Sequence, residues 1–584
     1  MASESFYKGT NKYFLGSSEI AWEVIKGLTL SGKVGYNFWS YYNKDYASDF
    51  VFNANKTVGP NNLTVSSGQG QQLTMQSLAT YTKQIDQHSF TILGGVSQEQ
   101  YDDWGMSAFR KDFPTNTLYE INGGSATGMS NSGSASAWSM RSFFSRVNYS
   151  YNGRYLFEAN MRSDATSRFP AKGRWGYFPS FSAGWILSEE DFLKNVSWVN
   201  SLKVRASWGK LGNQNVGTYP YQNIVSLGQN YSLGGVLVSG AATTRLSNAD
   251  VTWETTTTTD IGLDASLWKG KLDFTLGVFK KQTSGVLYSV ASSATLGLST
   301  SPVNIGGVEN TGFEASLNYH ANIGKVKIGV SPNFTVVNNK VTELANGLQQ
   351  NIGANLFVGQ PLGVTYGYVA DGLFKDADDV AKYPQQPYSA QPGLIRYKDI
   401  SGPNGVPDGK VDATYDRTFI GNTVPKYNFG LTLTANYKGF DFLMLVQGLA
   451  GWQKQMNNYQ AFAFFNGGQI QRWQVENRWT TENPNPNALY PKLTSLNEGS
   501  GIVQTSTFWN RDASFARLKS LQVGYTFNNK LMEKMKIDRL RVYFSGQNLL
   551  SINSYYQGWD PEMAQNNGFY PLTSVYTFGV NVSF

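Results

Sequence analysis

The sequence predicts an all-β fold: a transmembrane antiparallel β-barrel with short turns on one side and long loops on the other. Three observations predict it. The first is alternation. Near the C-terminus Tyr576, Phe578, Val580, Val582 and Phe584 alternate with Thr577, Gly579, Asn581 and Ser583, the period-2 pattern of a strand with one apolar and one small, polar face. The second is pairing. Tyr427, Phe429, Leu431, Leu433, Ala435 and Tyr437 alternate with Asn428, Gly430, Thr432, Thr434 and Asn436; Lys438-Gly439 then makes a turn, and Phe440, Phe442, Met444 and Val446 resume the apolar face. The third is the content of the polar face, with Glu158, Asn160, Arg162 and Asp164 in one strand and Arg539, Arg541 and Gln547 in another. A sheet on a soluble core also alternates, but a face this charged suits a wet interior and the aromatic-rich face opposite suits lipid.

Read in order, the chain enters on a strand at about Glu19–Ile25 and turns at Lys26-Gly27. Further short connections fall at 85–88, at Asn152-Gly153, and at 188–200, 269–271, 322–325, 438–439 and 528–537. Asn-Gly is the strongest of these signals, because a type I′ hairpin needs positive φ at both central residues. Between them lie long polar stretches rich in Gly and Asn, at 43–70, 106–138, 211–257, 285–309, 341–426, 453–514 and 550–573. In an outer-membrane barrel the short turns lie on the periplasmic side and the long loops outside. The count is about 17 strands, an odd number where bacterial barrels have an even one. Against a reference of 22 strands, about five are absent at the N-terminal side.

Composition agrees. Of 584 residues 14% are aromatic and 60 are glycine, while only 15% are charged, too few to cover an ordinary soluble protein of this size. The mean hydropathy is −0.34, yet a barrel strand needs only about 9–11 alternating residues, so the membrane signal lies in the period and not in the mean. No linker divides residues 1–584, which read as one partial barrel domain. The absence of cysteine excludes disulfides and thiolate chemistry. A net charge of +7 without any Lys/Arg run excludes a nucleic-acid footprint.

Several stretches spread along the chain carry a family likeness. They are Arg162-Ser163-Asp164 with Arg168-Phe169, Trp175-Gly176-Tyr177-Phe178-Pro179-Ser180, Arg205-Ala206-Ser207-Trp208-Gly209 and Trp253-Glu254-Thr255. Later come Glu309-Asn310-Thr311-Gly312-Phe313-Glu314, Gly359-Gln360-Pro361-Leu362-Gly363 with Tyr366-Gly367-Tyr368, Ser514-Phe515-Ala516-Arg517-Leu518-Lys519, and Gly558-Trp559-Asp560-Pro561-Glu562. In their order and joint presence the sequence resembles the SusC/RagA family of TonB-dependent outer-membrane transporters. The resemblance implies a 22-stranded barrel closed by a plug, energised through a TonB-box segment, and capped by a SusD-like surface lipoprotein that captures oligosaccharides or oligopeptides. It also implies the outer membrane of a Gram-negative, Bacteroidetes-like cell. No plug, TonB box, signal peptide or first strands precede Met1, so the chain reads as the C-terminal barrel portion, reaching TonB only through a segment outside it.

Chemistry has little to build on. Two histidines, His88 and His320, cannot furnish a triad or a zinc site in this context, so the chain is read as no enzyme, without a catalytic residue or an organic cofactor. Asp399, Asp408, Asp412 and Asp416 place oxygen ligands at short intervals around glycines, a pattern that could hold a structural calcium. Gly402-Pro403 and Val406-Pro407 break the EF-hand register, and a proline-braced solvated loop is the favoured alternative. Loop aromatics amid amides, namely Tyr459, Phe462, Phe464, Phe465 and Trp473, then Tyr555, Tyr556 and Trp559, suit sugar stacking or packing between loops and against a lipoprotein; packing is favoured. Substrate-contacting residues stay unassigned. The expected role is the wall and external vestibule of a nutrient importer, with a passive porin-like channel or a non-transporting fragment of a split transporter as the alternative.

Overall fold

The computed structural model describes residues 5–53, 56–288, 295, 297–494, 501–527, 532, 537–555, 559–563 and 572–584. Its main feature is an antiparallel sheet of 17 strands. The chain divides into two compact units, the first comprising 1–185, 206–258 and 283–305 and the second 186–205, 259–282 and 306–584.

In the first unit β1 (Phe6–Ile25), β2 (Leu28–Ala47), β3 (Asn62–Ile85), β4 (His88–Lys111), β5 (Ser130–Tyr151), β6 (Tyr155–Thr166) and β7 (Trp175–Ile186) follow one another as an up-and-down meander. The boundaries of the units fall at the end of β7, within β8 (Val199–Asn213), β9 (Glu254–Leu267) and β10 (Leu272–Ser284), and after residue 305. The second unit repeats the meander with β11 (Gly307–Ile323), β12 (Val326–Glu343), β13 (Tyr427–Tyr437), β14 (Phe440–Ala450), β15 (Phe515–Thr526), β16 (Arg539–Asn553) and β17 (Val575–Ser583).

The turns form where their chemistry directs. Lys438 and Gly439 take φ of 44° and 89°, and Asn152 and Gly153 take 53° and 67°; these left-handed values match the twist of the flanking strands. Register then fixes the faces. Leu431 lies opposite Val446 and Leu433 opposite Met444, while Asn436 lies opposite Asp441. On the polar face Arg541 Nε and Nη2 donate to the two carboxylate oxygens of Asp441 at 2.9 and 2.5 Å. In the first unit Arg162 donates to Asp164 at 2.8 Å and to Ser142 at 2.8 Å. The opposite face is bare hydrocarbon and aromatic: Phe578 is 83% exposed, an arrangement stable only against an apolar solvent.

Glycine and aromatic residues are abundant together because they share sites. A Cβ on Gly448 would come within 2.2 Å of the Phe429 ring, and one on Gly579 within 2.3 Å of the Tyr543 ring. The ring of one strand lies over the bare backbone of its neighbour, which widens the apolar contact across the sheet.

The strand count matches the sequence expectation, but the strands are longer than expected. The first begins at Phe6, not near Glu19, and β2 to β5 run through much of 43–70 and 106–138, which the sequence assigns to loops. The reason is visible on the outward face of β4. His88, Phe90, Ile92 and Val96 are followed by Gln98, Gln100 and Asp102, and on β3 Met75 and Leu73 give way to Gln71 and Gln69. The polar outward residues pair with one another: Arg141 donates to Gln98 at 3.0 Å, and Gln71 donates to Asp102 at 3.1 Å and accepts from Tyr36 at 2.8 Å. The apolar band therefore spans about 9–11 residues from each turn, the length that crosses a bilayer. Beyond it both faces are wet and the alternation that marks a strand disappears. The expected turn at 528–537, apart from Met532 and Ile537, and residues 556–558 and 564–571 of the expected loop at 550–573 lie outside the described residues.

Candidate functional site

The two longest connections, 344–426 between β12 and β13 and 451–514 between β14 and β15, build a canopy with its own core. Leu373, Phe374, Ile395, Tyr397, Met456, Tyr490 and Trp509 are fully buried in it. A long loop with such a core is a small folded body and not a tether.

Sequence motifs anchor it. In 359–363, Gly359 N–H donates to the Val341 carbonyl at 2.8 Å while Val341 N–H donates to the Gln360 carbonyl at 2.8 Å. Leu362 N–H donates to Asn339 Oδ1 at 2.6 Å. The run is thus a clasp on the end of β12. Gly367, between Tyr366 and Tyr368, is required by space: a Cβ there would sit 2.4 Å from the Thr505 carbonyl oxygen. Tyr368 N–H donates to that carbonyl at 2.9 Å, and Thr507 N–H donates back to Tyr368 at 3.0 Å.

Two further motifs meet each other. Arg517, only 2% exposed, donates from Nη2 to Asp560 at 2.5 Å and from Nη1 to Glu562. Lys454 donates to the carbonyls of Pro561, at 2.8 Å, and Met563, and Trp559 Nε1 donates to Gln471 at 2.9 Å. Burial pulls the Lys454 ammonium below its usual range, against the opposing pull of Asp560 and Glu562. A strand residue and a canopy residue together hold 559–563.

The loop aromatics mostly pack inward. Phe462 meets Trp509 edge-on at 5.7 Å, Tyr459 meets Phe465 at 5.0 Å, Trp473 meets Tyr490 at 5.4 Å, and Tyr555 OH donates to Gln460 at 3.2 Å. Phe464 is exposed; Tyr556 lies outside the described residues. Burial raises the Tyr383, Tyr388 and Tyr397 phenols far above their usual value, with Asp371 adding to the effect at Tyr383.

The four aspartates each serve the backbone of their own loop. Buried Asp416 accepts from Ile400 N–H at 2.7 Å, Ser401 N–H at 3.1 Å and Asp412 N–H at 2.8 Å. Asp412 accepts from Thr414 at 2.8 Å and Tyr415 at 3.0 Å, which hold its carboxyl below the usual range. Asp399 accepts from Gly409 at 2.6 Å and Asp408 from Lys410 at 3.0 Å. Among the described residues no three His, Cys, Asp or Glu side chains group so as to hold a metal ion.

A cavity of about 580 Å³ opens beside this loop, lined by Asn355, Thr365, Tyr366, Tyr368, Arg417 and Thr423 among others. Neither sequence pattern nor composition pointed to it. Its residues come from short strands and irregular chain inside the longest connection and its neighbour, too short for spacing to carry a readable period.

A family model for the TonB-dependent receptor-like β-barrel matches residues 5–549. The chain belongs to this family. It is an outer-membrane β-barrel protein, and the family is one of transporters and receptors, not of enzymes. TonB-dependent receptor P3 of Formosa agariphila is 27% identical over 94% of this chain and 58% of its own length. TonB-dependent receptor SusC of Bacteroides thetaiotaomicron is 27% identical over 76% of this chain and 43% of its own length. Among solved structures the RagAB peptide transporter matches with a TM-score of 0.85 at 23% identity, over all of this chain and 63% of that one, a likeness of fold. The chain spans 58% of the length of the first of these TonB-dependent receptors.

Proposed function

We propose that this receptor-family barrel forms the wall and external vestibule of a TonB-dependent importer, and that nutrient oligomers reach it with the help of a SusD-like surface lipoprotein. The observation that carries the reading is the family match across 5–549 in a chain whose long-loop side bears a folded canopy. A canopy held by a buried Arg517 clamp offers a firm rim on which a lid could seat, and the polar face of the sheet gives an oligomer a wet path. The relatives named SusC and RagAB support the partner reading.

The test is accumulation of labelled oligomers in cells with and without the gene, in each case with TonB present or absent. Concentrative uptake lost on removing either gene is expected. Uptake that needs this gene and not TonB would replace the reading with a passive channel.

We further propose that Asp399, Asp408, Asp412 and Asp416 brace their loop without a cation, because each carboxylate already accepts a backbone N–H group through at least one oxygen, although Asp399 Oδ1 is buried without a partner among the described residues. Chelation with EDTA should then leave the protease resistance of the canopy unchanged. Protection restored specifically by calcium would assign the loop to the ion.

A further inference from the structure

The cavity beside Arg417 carries one more step, which rests on the import reading and specifies its substrate class. Among the described residues Arg417 is the one charged residue that lines it. Its Nε donates to the Ala413 carbonyl at 2.8 Å and its guanidinium lies 5.4 Å over the Tyr366 ring. Among the described residues its two terminal nitrogens have no carboxylate and no other acceptor. Asp412 and Asp416 lie in the same stretch of chain and keep their charge, but their oxygens accept backbone N–H groups and neither pairs directly with the guanidinium. A guanidinium fixed in plane by one bond and one ring, with its fork free toward a cavity, is arranged to take a planar two-oxygen anion.

The rest of the wall says what bears that anion. Asn355, Thr365 and Thr423 present an amide and hydroxyls. The strand Val364–Tyr368 offers a peptide little free edge: Arg417–Asn422 pairs along one side, and on the other its end at Tyr368 is bonded to Thr505 and Thr507. Peptides captured in extended form add to a free sheet edge, and this wall gives chiefly side chains. Its volume falls within the range of small-ligand sites. We infer that this cavity is a binding subsite for a carboxylated sugar unit of an oligosaccharide, with Arg417 as the residue that selects the carboxylate.

The experiment is calorimetry on the purified full chain in detergent, so that its outcome is independent of uptake. The probes are oligogalacturonates of two to four units, the same oligomers with their carboxyls reduced, and a tetrapeptide with a free or an amidated C-terminus. The acidic sugar should bind at least about tenfold more tightly than its reduced form, the scale of one charge-assisted hydrogen-bonded pair. Arg417→Gln should remove that preference and Arg417→Lys should restore only part of it, as a point charge without the fork. Asn355→Asp, at an exposed position with φ of 53° that an aspartate accepts, should also remove it without touching the arginine. Equal affinity for acidic and reduced sugars, or an acidic preference that survives both Arg417→Gln and Asn355→Asp, would overturn the assignment. Tighter binding of the free-carboxylate peptide than of the sugar would overturn it in favour of a peptide subsite. If uptake fails while binding holds, the import reading falls and the subsite stands.

Discussion

At the scale of residues, the canopy depends on a few groups that could not be placed by their neighbours in sequence. Arg517 is almost wholly out of water between Asp560 and Glu562. Removing one partner of a buried pair strands the other charges, at a cost of about 3–5 kcal/mol, toward the lower end here because Glu562 reaches solvent. Arg517→Ala should therefore release the 559–563 segment to protease while the sheet keeps its heat-modifiable mobility, whereas unaltered cleavage would remove the clamp from the account. The tyrosines give a second expectation. A phenol whose pKa is raised on folding stabilises the fold fully below its unfolded value of about 10, and that contribution is lost as pH rises toward the folded value. Burial raises Tyr383, Tyr388 and Tyr397 in this way. The canopy should thus loosen only in alkali, from about pH 10 upward, and tyrosinate absorbance should show a late fraction that ionises together with the loss of tryptophan burial. Ionisation of all tyrosines in one wave near 10, with the canopy intact, would contradict this.

At the scale of elements, the strands show both what the sequence discloses and where it falls silent. Tyr427–Tyr437 and Phe440–Ala450 were legible because period, turn chemistry and face content agree within them. Phe6–Ser18 was not, because Lys8, Thr10 and Lys12 share the outward face there and water wets both sides. The canopy core was not legible either. Leu373, Tyr397 and Trp509 come from short strands and irregular chain too brief to show a period, and only the folded structure brings them together. Arg417 shows the same limit at a site, since its meaning rests on its making no ion pair among the described residues. The apolar band itself makes a sharp prediction. Leu431→Arg, on the outward face of β13, should cost about 2–4 kcal/mol near the bilayer midplane, and Thr432→Arg on the other face much less. Gln98→Arg, on the outward face but past the band, should be as mild as Thr432→Arg. Folded yield read from heat-modifiable mobility checks all three, and equal losses would mean that the faces or the band are misassigned.

At the scale of the whole molecule, the two meanders share one rule: successive connections alternate between the two sides of the membrane, and apart from 167–174, which is shorter than 187–198, every connection on one side is longer than its neighbours on the other. The absence of cysteine makes this rule directly testable, because a single introduced thiol is the only target for a maleimide. Lys172→Cys and Asn404→Cys lie at exposed positions in connections of the long-loop side, one in each unit, and Gln87→Cys and Lys325→Cys lie in exposed short turns, again one in each unit. A charged, membrane-impermeant maleimide added to intact cells should label the first two. It should reach the turn positions only after the outer membrane is opened, since a permanently charged reagent does not cross hydrocarbon. The pairing by unit gives the test its force. Labelling of Gln87→Cys from outside would invert the first meander, and labelling of Lys325→Cys would invert the second, so each half of the chain is held to the same orientation by its own pair of probes.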